Sequence, residues 1–189
     1  MIDLDLVTPY FRSREVAGRV QEYGLDVVAP AAVSQYLDTP ALTPAILGAL
    51  QQTEHPVILD VGGDEQGARA LALYSDALRE RGYAMYFVVN PYRPFTGDTE
   101  GIRRAIAQIE RASRLLVTGL VSNPNLIAST TVAQFLEGQR VLELASRQLG
   151  LPIAFTAIER GLLKRISELL PADMPVLPLE RFFVMPWAE

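Results

Sequence analysis

Hydrophobic and polar positions follow two different periods along this chain, and the switches between them mark its elements. Val57-Ile58-Leu59-Asp60-Val61 is an apolar run interrupted by one aspartate, the pattern of a strand buried on both faces of a parallel sheet. Runs of the same kind occupy Tyr83–Asn90, Leu115–Ser122 and Leu151–Thr156, with a shorter one at Leu25–Pro30 and a last strand at Arg181–Met185. Between them the apolar residues recur at helical spacing. Ser13–Tyr23 places Val16, Val20 and Tyr23 on one side and stops at Gly24, and Thr43–Gln52 opens with a capping threonine and a proline at the first helical position. Glu65–Arg81 turns Ala68, Leu71, Ala72, Ser75 and Leu78 inward and ends at Gly82. Further helices are predicted from Gly97 to about Ala112, from a cap at Thr130 or Thr131 through Leu149, and over Ile158–Leu170. Strands that alternate with helices predict an α/β fold, a doubly wound and mostly parallel sheet with right-handed crossovers and helices on both faces. No repeat or linker divides the chain, so one domain over residues 1–189 is expected.

The candidate chemistry lies at the carboxyl ends of these strands, where open α/β sheets bind their ligands. Asp60 is followed by Gly62-Gly63, a carboxylate and then a loop whose backbone can approach a phosphate closely. Read alone, the segment is either a magnesium-holding strand or any α/β strand that ends in an aspartate and a glycine turn. At the start, Asp3 and Asp5 alternate with Ile2, Leu4 and Leu6, which puts both acids on one face of a strand. They are either a metal and water site or solvated acids of an edge strand. Asn123 ends a third strand and offers a side-chain amide, donor and acceptor together, for the edge of a nucleobase. Arg93, in Asn90-Pro91-Tyr92-Arg93-Pro94, is placed to meet either an anionic ligand or a neighbouring acid.

Taken in order, DLDLVTPYFRSRE, VILDVGGDEQGARAL and LLVTGLVSNPNL resemble a family of bacterial and archaeal nucleotide-binding proteins related to the MinD/ParA and cobyrinic acid a,c-diamide synthase branch of the P-loop NTPases. The resemblance runs over nearly the whole chain. It implies a three-layer α/β/α nucleotide-binding domain and assigns roles residue by residue. Asp5 would organise the attacking water with Asp3 in support, and Asp60 would hold magnesium through water. The Gly62-Gly63 backbone would face the terminal phosphate, Asn123 would touch the base, and Pro124 would shape that loop. No G-specific N/T-K-x-D motif is present, which leans toward ATP. A nucleotide-dependent switch or ATPase is the activity implied.

One part of the family pattern is missing. Members open with a strand and a loop of the type G-x-x-G-x-G-K-S/T, whereas here the D-x-D strand begins at residue three and the only lysine, Lys164, has helical spacing and no glycine loop. The expectation is a product trimmed at an internal start codon, with a loop-less paralogue as the rival. Without that loop neither ATP nor magnesium is expected to bind this chain well, because phosphoryl transfer depends on the positioning and charge neutralisation that the loop supplies. In the resembled fold the loop's strand lies inside the sheet, between the strand of Asp60 and that of Tyr83–Asn90. Its loss would leave both neighbours with unpaired backbone groups, to be relieved by closing up or by a homodimer that covers the gap.

Composition narrows the remaining classes. The chain has no cysteine, so thiolate zinc sites, disulfide frameworks and cysteine nucleophiles are excluded. A net charge of -5 without acidic blocks argues against a general nucleic-acid binder. No apolar run has the length of a membrane span and no signal sequence opens the chain, so a cytoplasmic protein is expected. The lone histidine, His55, reads as a loop residue rather than part of a triad. Two alternatives to the nucleotide switch stay open: a non-catalytic interaction domain that keeps the fold, and a metal-dependent α/β hydrolase using Asp3, Asp5 and Asp60.

Overall fold

A computed structural model describes residues 1–4, 17–28, 44–52 and 54–180. In chain order its elements are β1 (Ile2–Asp3), α1 (Ala17–Glu22), α2 (Pro44–Gln51), β2 (Leu59–Asp60), α3 (Glu65–Ala72), α4 (Ser75–Arg81), β3 (Tyr86–Val89), α5 (Thr99–Ser113), β4 (Gly119–Ser122), α6 (Val132–Leu149), β5 (Ile153–Glu159), α7 (Arg160–Ile166) and β6 (Val176–Leu179). Strand and helix alternate as the hydrophobic pattern predicts, and every strand pairing is parallel. The fold is α/β. Its strands form two sheets, β1–β2 and β3–β4–β5–β6.

The chain divides into two compact units, residues Met1–Tyr83 with Gln108–Leu115, and Ala84–Ala107 with Leu116–Glu189. In the first, β1 runs between β2 and Val28. Ile2 N–H donates to Ile58 and Leu4 N–H to Asp60, both at 2.7 Å, while Asp3 N–H donates to the Val28 carbonyl at 2.9 Å. Leu25–Pro30 therefore contributes a bridge at Val28. Ile46 and Leu50 of α2, Ala68 and Leu71 of α3, and Leu78 of α4 are buried. The predicted helix Glu65–Arg81 is broken after Ala72. Ser75 Oγ donates to the Ala72 carbonyl at 3.0 Å, a side-chain bond that competes with the helical ladder.

In the second unit the order β3-β4-β5-β6 follows the chain in one direction. With right-handed crossovers such an order puts every connecting helix on the same face, and the packing agrees. Ile102 and Ile106 of α5 and Leu142 and Ala145 of α6 cover Val89 and Leu120. Phe135 of α6 meets Ile158 of β5 and Leu162 and Ile166 of α7. The cap of α6 is Thr131, which forms a reciprocal box with Gln134, and Gly150 ends the helix in the left-handed conformation at φ 67°.

Several boundaries differ from the hydrophobic reading: β2, β3 and β4 are shorter than the apolar runs that predict them, and the differences near the end of the chain have a clear cause. β5 continues to Glu159 because Ala157, Ile158 and Glu159 pair with Leu177, Pro178 and Leu179. The following helix accordingly starts at Arg160, where the Glu159 carboxylate caps the Leu162 N–H at 2.9 Å. β6 itself falls in a proline-rich stretch that does not read as a strand, since proline is tolerated in sheets only at edges. The strand predicted over Arg181–Met185 and the first part of the helix predicted over Ser13–Tyr23 lie outside the described residues. No helix among the described residues is long and apolar enough to cross a membrane.

Candidate functional site

The site residues predicted from sequence fall in both units. In the first, the parallel register sets Asp3 directly beside Asp60. This is the neighbour relation expected for the D-x-D strand and the strand of Asp60. Asp3 is fully buried and Asp60 half-buried. Asp5, one position beyond described Leu4, lies outside the described residues.

The loop after β2 is drawn tightly against α3. Asp64 caps that helix, its Oδ1 accepting from the Gly67 N–H at 2.7 Å. A Cβ on Gly67 would lie 2.6 Å from the Gly62 Cα and 2.7 Å from its carbonyl oxygen, so the close approach is of Gly62 to Gly67. A Cβ on Gly63 would meet open space. The backbone beside this glycine is therefore accessible to a ligand, and its φ does not itself demand glycine. Gly67 is the structurally constrained glycine here. Its signal in the sequence is position alone, three residues after a capping aspartate, because helical glycine otherwise reads as a weak spot.

A second device serves the same strand from outside the motif. Arg81, at the end of α4, donates from Nη1 to the Leu50 carbonyl at 2.7 Å and from Nη2 to the His55 carbonyl at 2.6 Å. It also bonds the Gln52 carbonyl. One guanidinium thus satisfies the carbonyl end of α2 and fastens the segment that leads into β2. His55 is exposed and takes part through its backbone, in keeping with a loop residue. Reading Arg81 as a helix-face charge misses this clasp, which only tertiary contact reveals.

In the second unit Asn90, the residue after β3, ties two loops together. Its Nδ2 donates to the Asn125 carbonyl at 2.8 Å, and its Oδ1 accepts from the Tyr92 and Asn125 N–H groups at 3.1 and 3.3 Å. Asn123 N–H donates to the Val89 carbonyl, and its side-chain oxygen accepts from Asn125 Nδ2 at 3.1 Å. Asn123 and Pro124 therefore sit at the end of β4 on a loop whose shape is set by amide bonds. Pro124 and Pro91 both press on Gly138 of α6, where a Cβ would come within 2.6 Å of Pro124 Cβ and 2.9 Å of Pro91 Cγ. Arg93 is exposed, and no acid pairs with it among the described residues. Tyr92 donates to the Gln134 carbonyl at 2.5 Å. Burial, and then the charge of Glu137, push its phenol above the ordinary tyrosine range. Asn90 and Asn125 are the functional-site neighbours that the sequence reading leaves without a role.

Magnesium commonly takes one or two carboxylates and completes its octahedron with water and phosphate oxygens. Asp3 and Asp60, abreast on adjacent parallel strands, fit that donor set. Among the described residues no group of three His, Cys, Asp or Glu side chains could hold a metal ion. No family model, no curated protein and no solved structure matches the chain.

Proposed function

We propose that the chain is a nucleotide-binding domain of the type found in the MinD/ParA and cobyrinic acid a,c-diamide synthase branch of the P-loop NTPases, with ATP and magnesium as its ligands. The observation that carries this reading is the parallel pairing of β1 with β2, which sets Asp3 against Asp60 ahead of the Gly62-Gly63 turn. Asp60 holds the ion through water, Asp3 and Asp5 orient the attacking water, and the Gly62-Gly63 amides face the terminal phosphate. The base contact that the resemblance assigns to Asn123 is supported by the fixed amide loop around it, and an anion contact by the exposed Arg93, with which no acid pairs among the described residues. Magnesium would neutralise charge on the phosphates. The sheet is proposed to belong to a doubly wound, three-layer domain, and two copies are proposed to cover the gap left by the missing strand as a homodimer.

No glycine-rich loop followed by Lys and Ser or Thr is present in the sequence, so the phosphate grip of this chain is weak. Calorimetric titration with ATP and magnesium is expected to give a dissociation constant in the range of ~0.1–1 mM, with affinity lost when magnesium is removed. Asp60→Asn should weaken binding several-fold while leaving circular dichroism unchanged. Low-micromolar binding would show that another segment cradles the phosphates. Absence of any binding at millimolar ATP would favour the interaction domain, a second reading supported by the exposed Tyr86 and Val88 of β3, a strand that pairs with β4 alone among the described residues. Metal binding that is indifferent to nucleotide would favour the hydrolase.

A further inference from the structure

The loops that carry Arg93 and Asn123 leave the sheet from neighbouring strands at the same level. Val89 of β3 is in register with Ser122 of β4, so Asn90 and Asn123 each take the first position past a strand end. Both loops belong to the second unit. Asn90 is bonded to both of them. On its own loop its carbonyl accepts from the Arg93 N–H at 3.1 Å and from Thr96 Oγ1 at 2.7 Å, and its Oδ1 accepts from the Tyr92 N–H at 3.1 Å. On the other loop the same Oδ1 accepts from the Asn125 N–H at 3.3 Å while Nδ2 donates to the Asn125 carbonyl at 2.8 Å.

One side-chain amide therefore meets both backbone groups of Asn125. A carboxylate could not donate to the carbonyl, and a hydroxyl offers one atom for both partners. Asn125 passes the constraint on, its Nδ2 donating to the Asn123 carbonyl and to Asn123 Oδ1 at 3.0 and 3.1 Å. Each loop also has an anchor of its own, the Tyr92 hydroxyl on the Gln134 carbonyl and the Asn123 N–H on the Val89 carbonyl. Beyond the strand ends, however, every hydrogen bond from one loop to the other among the described residues runs through the Asn90 side chain. Among the same residues no bond uses Asn123 Nδ2 and no acid pairs with Arg93. The network fixes the two backbones and leaves their outer donors for a ligand.

We infer that Asn90 is a positioning residue of the ligand site: it locks the Arg93 and Asn123 loops in one arrangement, so that a single ligand carrying a base and an anion meets both without having to order either. The inference rests on the proposed nucleotide reading and adds the residue that joins its base contact to its anion contact. Ordering a loop at the moment of binding subtracts from affinity, and a loop ordered beforehand avoids that loss. Asn90 itself need not touch the ligand.

Double-mutant cycles on the affinity of the full chain for ATP with magnesium, read by NMR titration, provide the test, with circular dichroism to show that each variant is folded. In the wild-type background Arg93→Ala and Asn123→Ala should each weaken binding about fivefold. In the Asn90→Ala background each should weaken it less than about twofold, because a contact made from an unheld loop has already lost most of its value. Asn125→Ala frees Asn123 but keeps the backbone bonds of residue 125 to Asn90, so it should shrink the Asn123 effect and leave the Arg93 effect whole. A merely structural role would lower affinity by one factor in every background. Full effects of Arg93→Ala and Asn123→Ala in the Asn90→Ala chain therefore overturn the inference, as does a full Asn123 effect in the Asn125→Ala chain should Asn90→Ala fail to fold. A wild type that binds ATP indifferently to Arg93 and Asn123 also overturns it and leaves the nucleotide reading to other residues. A wild type that binds no ATP overturns both.

Discussion

In the first unit the parallel ladder spans two residues on each strand, Ile2–Asp3 against Leu59–Asp60, whereas in the second four strands run in one continuous order with two helix-backed cores. Both bury apolar side chains, Ile2, Leu4, Ile46 and Leu50 in the first unit as well as Val89 and Leu120 in the second, but the first adds polar ties of its own. The short ladder is held by contacts made beyond it. These are the bridge from Ile2 to Val28, the Arg81 clasp on the carbonyls around α2 and His55, and the Asp64 cap that folds Gly62 onto Gly67. The long one rests on apolar burial beneath it. The acids of the proposed magnesium site therefore depend on polar tethers as well as on burial, and the amide loop of Asn123 combines its own amide bonds with the packing beneath it.

The largest expected effect comes from cutting the packed side of this comparison. Phe135 is fully buried between β5 and α7, and truncating a buried phenylalanine costs about 3–5 kcal/mol. Phe135→Ala should lower the urea midpoint strongly, and hydrogen exchange should show the amides of β5 and α7 losing more protection than those of β1 and β2. Equal loss in both would mean that the two units are not separately supported.

The opposite cut is Arg81→Ala. It removes a part-buried charge-assisted bond to the Leu50 carbonyl, which contributes about 1–2 kcal/mol, and an exposed one to the His55 carbonyl, which contributes less. The amides of α2 and β2 should exchange faster while those of β4 and β5 keep their rates. Arg81→Lys should rescue only part of the loss, because an ammonium cannot span several carbonyls with a planar fork. A uniform rise in exchange across both units would refute the view of Arg81 as a local tether.

How much of this was legible beforehand follows from the same contrast. The strands at Tyr83–Asn90 and Leu115–Ser122, and the helices after them, were readable because each buries a continuous apolar face, and burial writes itself into periodicity. The neighbour relation of Asp3 and Asp60 came from the resemblance, since parallel pairing between distant segments leaves no local trace. The break between α3 and α4 was hidden because Ser75 also suits an inward helical position, and its bond to Ala72 depends on geometry. β6 was masked by Pro175 and Pro178, which deny a central strand but permit an edge. The Arg81 clasp and the Asn90–Asn125 loop were invisible for a related reason: a polar side chain that satisfies a distant carbonyl looks in sequence like any solvated residue.

The smallest expected effect sharpens the packed side from within. Thr156 lies on β5, in register with Ser122 of β4, and both are fully buried. Ser122 donates to Gln139 Oε1 of α6 at 2.7 Å, whereas the Thr156 hydroxyl is buried without a hydrogen-bond partner among the described residues. An orphaned buried hydroxyl carries its desolvation cost uncompensated, and replacing it with an apolar group of the same shape recovers part of that cost, about 1 kcal/mol. Thr156→Val should therefore raise stability by about that amount and leave the exchange rates of β1 and β2 unchanged. Ser122→Ala, which strands Gln139, should lower stability by a similar amount. If Thr156→Val proves destabilising instead, an ordered water must bridge Thr156 to its polar neighbours, and the second unit's interior would be held, like the first, by polar tethers as well as by burial.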